Sequence, residues 1–188
     1  GGNVLTVNGV LNWSGGYLNT HLTNNGTFNL SNGIGIGNNA DPDPIFNNNG
    51  TFNWNNASFT FWDATFNNNA SGIFNANENN GMGIWSGNNI LFNNAGTFNK
   101  QNGSGTTTIG IPWQNSGSIK GFGTIAANST FTNTGTIEPG TSPGILQLIG
   151  SQPLSATSTL QIEIQDGTGP GTGYDQLTRN ADLTLAGK

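Results

Sequence analysis

The sequence predicts an all-β protein, a parallel β-helix of about seven coils of roughly 22 residues each. Three observations predict it. An Asn-rich segment recurs along the chain, apolar residues alternate within it, and no stretch carries a helical period. The segment reads LTNNGTFNLSN from Leu22, FNNNGTFNWNN from Phe46, FNNNASGIFNANEN from Phe66 and FNNAGTFNKQN from Phe92. It returns as WQNSGSIKGFG from Trp113 and FTNTGTIEPG from Phe131. These starts lie 24, 20, 26, 21 and 18 residues apart, and a weaker copy, LTVNGVLNW, begins at Leu5.

Each copy holds two short strands on either side of an Asn-x-Gly turn. The third copy departs from this, with Ala70 in place of the Gly and two residues added before Phe74. Between copies lies a third alternating patch: GIGIG at 33–37, SFTFW at 58–62, GMGIW at 81–85, TTIGI at 107–111 and FGTIA at 122–126. One such period cannot bury its apolar face alone, but stacked periods can. Stacking predicts an inward column of Leu22, Phe46, Phe66, Phe92, Trp113 and Phe131. A second column comprises Phe28, Phe52, Phe74, Phe98, Ile119 and Ile137, and a third includes Ile36, Phe61, Ile84, Ile111 and Ile125. Aromatic rings in so narrow a coil are core rather than a ligand box.

Asn24, Asn48, Asn68, Asn94, Asn115 and Asn133 hold one position in six copies, two residues after an inward apolar. They therefore point inward at a turn. Stacked in register, each amide donates to one neighbour and accepts from the other, forming a ladder. Asn there, and the Gly that follows, also tolerate a left-handed turn. The remaining Asn are expected to be solvated or in turns.

Of 33 Asn, 28 lie in the first hundred residues, so residues 1–130 read as Asn-rich coils and 131–188 as strand-rich coils of one solenoid domain. The later part is rich in alternating apolars: Leu146 and Leu148, then Leu160, Ile162 and Ile164. Here GTIEPGTSPGIL, STLQIEI and YDQL follow in order, after the upstream LNWSGG, FNNAGTFNK and GSGTTTIGIPWQNSGSI. The chain resembles bacterial secreted β-helix surface proteins, the autotransporter passengers and adhesin-like proteins. That resemblance covers most of the chain. It implies a right-handed helix and an extracellular or cell-surface location, and it implies no catalytic residues.

Charge excludes several functions. The chain is 7% charged with a net charge of −5, and its cations are Lys100, Lys120, Arg179 and Lys188. That balance excludes a basic nucleic-acid footprint and polybasic attachment to anionic lipid. There is no Cys, hence no disulfide and no thiolate metal site. No apolar run is long enough to insert in a membrane as a helix. The opening GGNVLTVNG shows no signal peptide, as expected of a mature chain or an excised fragment.

Enzymatic β-helices that cleave polysaccharides need paired acids, or acids beside a cation. Asp41 and Asp43, in a Pro-braced DPDP, and Asp63 fall at successive turns. They read as solvated turn residues, with a weak Ca²⁺ site as the alternative. Asp166 and Asp175 flank GTGPGTGY, which lacks the Lys and helix of a phosphate loop. His21, the only His, reads as a surface residue. No cofactor is expected.

Two functions from different classes remain. One is a structural or adhesive segment of a surface protein, with Trp13, Trp54, Trp62 and Trp85 as candidates to stack on glycans. The other is a filament subunit joined to its own copies end to end, since a solenoid has two open ends. A polysaccharide-binding or -degrading β-helix is the lesser alternative.

Overall fold

The computed structural model describes residues 3–37, 42–55, 57–77, 79–102, 105–150, 154–180 and 182. Its strands are short because each coil must turn three corners in about 22 residues. They form three parallel sheets of seven, eight and eight strands, each strand pairing with its equivalent one coil away. The first sheet contains Val4–Val7, His21–Asn24, Ile45–Asn48, Thr65–Asn68, Leu91–Asn94, Trp113–Asn115 and Phe131–Asn133. The second contains Val10–Trp13, Thr27–Ser31, Thr51–Asn55, Ile73–Ala76, Thr97–Lys100, Ser118–Gly121, Thr136–Pro139 and Thr159–Leu160. The third contains Gly16–Leu18, Ile34–Gly37, Ser58–Trp62, Gly81–Ser86, Thr106–Ile109, Gly123–Ala127, Ile145–Gly150 and Gln176–Arg179. The result is a right-handed parallel β-helix of seven coils, with two strands of an eighth.

Alternation puts every second side chain inside. Phe46 pairs in register with Phe66, Phe66 with Phe92, Phe92 with Trp113 and Trp113 with Phe131, and all five are buried. Phe28, Phe52, Phe74 and Phe98 form a second file whose successive rings lie 5.1, 4.8 and 5.3 Å apart and near parallel. The two files meet edge to face, Phe46 against Phe52 at 5.4 Å and Phe66 against Phe74 at 5.4 Å. This alternation of stacked and edge contacts satisfies the ring quadrupoles in both directions.

The third inward column differs from the expectation. Ile36 and Phe61 are buried and pair in register as expected, but Ile84, which pairs with Phe61, is half-exposed, and a neighbouring buried file of Ile34, Phe59, Met82 and Ile109 carries the core into the fifth coil. Ile125 pairs with the buried Thr107 rather than with Ile111. The cause is coil length. The fourth coil keeps a long third strand with a bulge between Ile84 and Ser86, and the shorter fifth coil pairs only with Gly81 and Met82. Ile84 is left without a coil above it. A single spacing carried from coil to coil cannot follow such a change.

The inner amide ladder is present over six coils. Asn24 Nδ2 donates to Asn48 Oδ1 at 2.7 Å, Asn48 to Asn68 at 2.8 Å and Asn68 to Asn94 at 2.6 Å. Asn94 donates to Asn115 at 2.5 Å and Asn115 to Asn133 at 2.6 Å. Each amide also caps the corner: Asn24 Nδ2 reaches Thr51 O at 3.0 Å, and its Oδ1 accepts Gly26 N–H at 3.2 Å.

Two expectations about this corner are corrected. None of the six Asn has a positive φ, nor do Gly26, Gly50, Gly96, Gly117 and Gly135. The Gly is required by close approach: a Cβ on Gly50 would lie 2.2 Å from Gly26 O, and one on Gly96 2.2 Å from Gly72 O. In the third copy Gly72, not Ala70, fills this slot, and the two added residues form a turn closed by Gly72 N–H to Asn69 O at 2.7 Å. The other Asn are not merely solvated. Asn12, Asn29, Asn53, Asn75 and Asn99 form an outer ladder on the second sheet, as do Asn47, Asn67 and Asn93 on the first. Asn8, Asn25, Asn49 and Asn69 form another at the corner. These outer amides donate toward the N-terminus and the inner ones toward the C-terminus, so their dipoles oppose.

Candidate functional site

Chemistry was sought first among the carboxylates. The structure brings Asp43 and Asp63 together through a third turn: Asn89 Nδ2 donates to Asp43 Oδ2 at 2.6 Å, and Asn88 and Asn89 N–H donate to Asp63 Oδ1 at 2.8 and 2.9 Å. Asp63 holds a left-handed backbone, φ 44°. Both side chains therefore act as turn acceptors on consecutive coils. Asp41 lies outside the described residues. Among the described residues no three His, Cys, Asp or Glu side chains group as metal ligands would.

Asp175 is buried and takes Gly144 N–H and Glu163 N–H at 2.8 Å each. It thereby ties the PGTSPG turn to the QIEI segment, which is the physical content of the motif order read from the sequence. Asp166 is exposed; hydrogen bonds from the Thr168 hydroxyl, at 2.6 Å, and the Thr168 N–H lower its pKa below the usual carboxylate value. Lys120 pairs with Glu138 across adjacent coils at 3.2 Å. Lys100 is fully buried, which the sequence pattern did not single out. His21 is half-buried, and its Nδ1 accepts Ile45 N–H at 3.1 Å.

The four Trp candidates separate by burial. Trp54 is core, its Nε1 donating to Ala57 O at 2.7 Å. Trp13 is half-buried against Phe28, with ring centroids 5.8 Å apart, and Trp62 is half-buried. Trp85 is 58% exposed and meets Tyr17, 51% exposed, edge to face at 5.1 Å. Tyr17 belongs to the first coil and Trp85 to the fourth. They meet because the rows between them carry small residues. A Cβ on Gly35 would lie 2.6 Å from the Tyr17 ring, so that Gly is the space in which the ring lies. Sequence reasoning missed Tyr17, whose only signal was an aromatic at an outward position opposite a Gly.

Tyr17 and Trp85 stand on the outer face of the third sheet. Its outward positions, among them Gly35, Thr60, Gly83, Thr108, Thr124 and Gln147, carry no charge among the described residues. No helix of the described residues is long and apolar enough to cross a membrane.

Fold and surface together define a right-handed parallel β-helix with an uncharged, partly aromatic face. No protein family, curated protein or solved structure matches the chain. The resemblance to secreted β-helix surface proteins therefore rests on the quoted motifs, and the structure supplies the β-helix itself.

Proposed function

We propose that the chain is a non-catalytic structural and adhesive rod of a bacterial surface protein, working outside the cell. The observation that carries this reading is the run of the inner amide ladder through six coils beside stacked aromatic files, which makes a stiff element. The secreted-protein motifs support the location, and the Tyr17–Trp85 pair supports adhesion to glycans by stacking. The test is incubation of the chain with soluble polysaccharides, neutral and uronic, followed by assay for new reducing or unsaturated ends. None are expected, and their release would overturn the reading.

A second reading is favoured by one feature. In the first coil the inward-facing Leu5 is 43% exposed, and among the described residues the three strands that carry the coil have no partner on their outer edges. Such an edge takes another parallel coil, from an upstream segment or from a second copy. Negative-stain electron microscopy over a concentration series separates the two. Fibres that lengthen with concentration and vanish in Leu5→Lys would establish homotypic stacking. Short rods at every concentration would dismiss it.

A further inference from the structure

The outer face of the third sheet ends, over the sixth to eighth coils, in a cleft of about 600 Å³. This lies within the range of roughly 300–1,000 Å³ found for small-molecule sites. Thr124, Gln147 and Thr178 form its floor as one register column. Thr141, Pro143 and Gly144 contribute one wall and Pro170, Gly171 and Thr172 the other.

Both walls are tied to the same short segment, Tyr174 and Asp175. Asp175 Oδ1 holds Gly144 N–H at 2.8 Å, and Tyr174 O accepts Gly171 N–H at 2.8 Å. Gly171 adopts φ 76° and packs so closely that a Cβ there would lie 3.0 Å from Ile145 Cγ1. Ser142, the residue between Thr141 and Pro143 of the opposite wall, adopts φ 117°, a conformation rare for a non-Gly residue. The cleft is thus fixed by the fold rather than left between loose loops.

Its chemistry is narrow. Phe122, Pro143, Ile145 and Pro170 supply apolar surface, and among the described residues no charged side chain lines it. On the floor the Thr124 hydroxyl donates to Gln147 Oε1 at 3.1 Å, which orients the amide and leaves both Nε2 hydrogens for a ligand. The hydroxyls of Thr141 and Thr178 add groups that donate and accept. A ligand matching this surface is uncharged, offers an apolar face, and carries several hydroxyls. A neutral sugar ring has all three properties. A uronic or sialic acid would bring a carboxylate that finds no cation here.

We propose that the cleft bounded by Pro143 and Pro170 binds a unit of a neutral saccharide, with Gln147 and Thr178 as its hydrogen-bonding partners. This site is separate from the Tyr17–Trp85 pair and does not depend on it.

The experiment is an array of neutral and acidic oligosaccharides probed with the full chain and with Gln147→Glu, Thr178→Val and Trp85→Ala. All three positions face outward, and circular-dichroism melting checks that each variant folds. Neutral glycans are expected to bind. Gln147→Glu and Thr178→Val are expected to weaken that binding by about tenfold or more, and Trp85→Ala to remove only the share that the aromatic pair carries, with the cleft-dependent part retained. Absence of any neutral-glycan signal, or equal binding of acidic glycans, would overturn the proposal. So would loss in Trp85→Ala with retention in the two cleft variants, which would give the glycan to the aromatic pair and keep the adhesive reading intact.

Discussion

Replacing Asn94 by Ala tests the inner ladder, with Asn93→Ala as the matched control one residue away. Asn94 is buried; it donates to Asn115 Oδ1 at 2.5 Å and to Ser118 O at 3.1 Å, and it accepts from Asn68 Nδ2 at 2.6 Å. Its loss removes these bonds and leaves the buried Asn115 Oδ1 without its ladder donor. Asn68 Nδ2 still reaches Gly72 O and Thr97 O. Lost hydrogen bonds at about 1 kcal/mol each, plus one orphaned acceptor at about 1–3 kcal/mol, give a cost of about 4 kcal/mol. Asn93 is half-buried and donates once, to Asn67 Oδ1 at 2.9 Å, where water can take its place. Its removal costs about 1 kcal/mol or less. For a chain of this size 1 kcal/mol moves Tm by roughly 2–4 °C, so the two variants should melt about 6–12 °C apart. Thermal unfolding followed by circular dichroism measures this. Hydrogen exchange at Ser116 and Ser118 adds a local readout, since solenoids need not unfold all at once. Equal melting temperatures for the two variants would refute the claim that the inner amides carry the corner.

Gly50→Ala should cost about 3 kcal/mol or more, because its Cβ would meet Gly26 O at 2.2 Å, whereas Gly81→Ala, with nothing within 4 Å, should change urea stability little. Similar midpoints for the two would show that the backbone corner yields easily. Trp113→Phe and Trp54→Phe remove the same volume from buried sites. Trp113 Nε1 meets no acceptor among the described residues, and Trp54 Nε1 holds Ala57 O, so Trp54→Phe should be the more destabilising by about 1–3 kcal/mol in chemical denaturation. The reverse order would mean that packing around Trp113 outweighs its unmet N–H. Gly35→Ala should displace the Tyr17 ring and reduce the Tyr17–Trp85 contact, read as a change in near-ultraviolet circular dichroism with an unchanged far-ultraviolet spectrum. An unchanged near-ultraviolet spectrum would remove the Gly from the account of that pair.

The first two inward columns and the ladder were legible in the sequence because their spacing is set inside one rigid unit. From Phe46 to Phe52 the chain makes one strand, one Asn-x-Gly corner and the start of the next strand, and this unit repeats almost without change. The third sheet was less legible because the variable residues of each coil flank it. A coil of 26 residues followed by one of 21 leaves Ile84 uncovered while Met82, on the same face, stays buried, although the local alternation around both is sound. The Tyr17–Trp85 pair was illegible for another reason: its members lie three coils apart, and only the stacked structure puts them side by side. The cleft near Pro143 also needs the tertiary fold, since Asp175 joins segments that the sequence shows only as an ordered series of motifs.

The low charge of the chain first reads as a statement about partners, but the structure gives it a cause within the fold. In-register stacking sets each residue about 4.8 Å from its equivalents above and below. A repeated Lys or Glu would place like charges at that spacing, costing about 0.9 kcal/mol per contact in water and about 3.5 kcal/mol at an effective dielectric of 20. An amide in the same place donates to one copy of itself and accepts from the other, so repetition favours Asn at positions where most proteins carry charge. The outer column of the second sheet shows the rule at its end. It runs through Asn12, Asn29, Asn53, Asn75 and Asn99, and where the amides stop it continues as Lys120 and Glu138, opposite in sign and 3.2 Å apart. Scarcity of charge is therefore what a self-stacking repeat imposes, and it does not by itself argue that separate molecules join end to end. The case for a filament must rest on the exposed apolar edge of the first coil alone, which is why Leu5→Lys, rather than a change in ionic strength, is the perturbation that decides it.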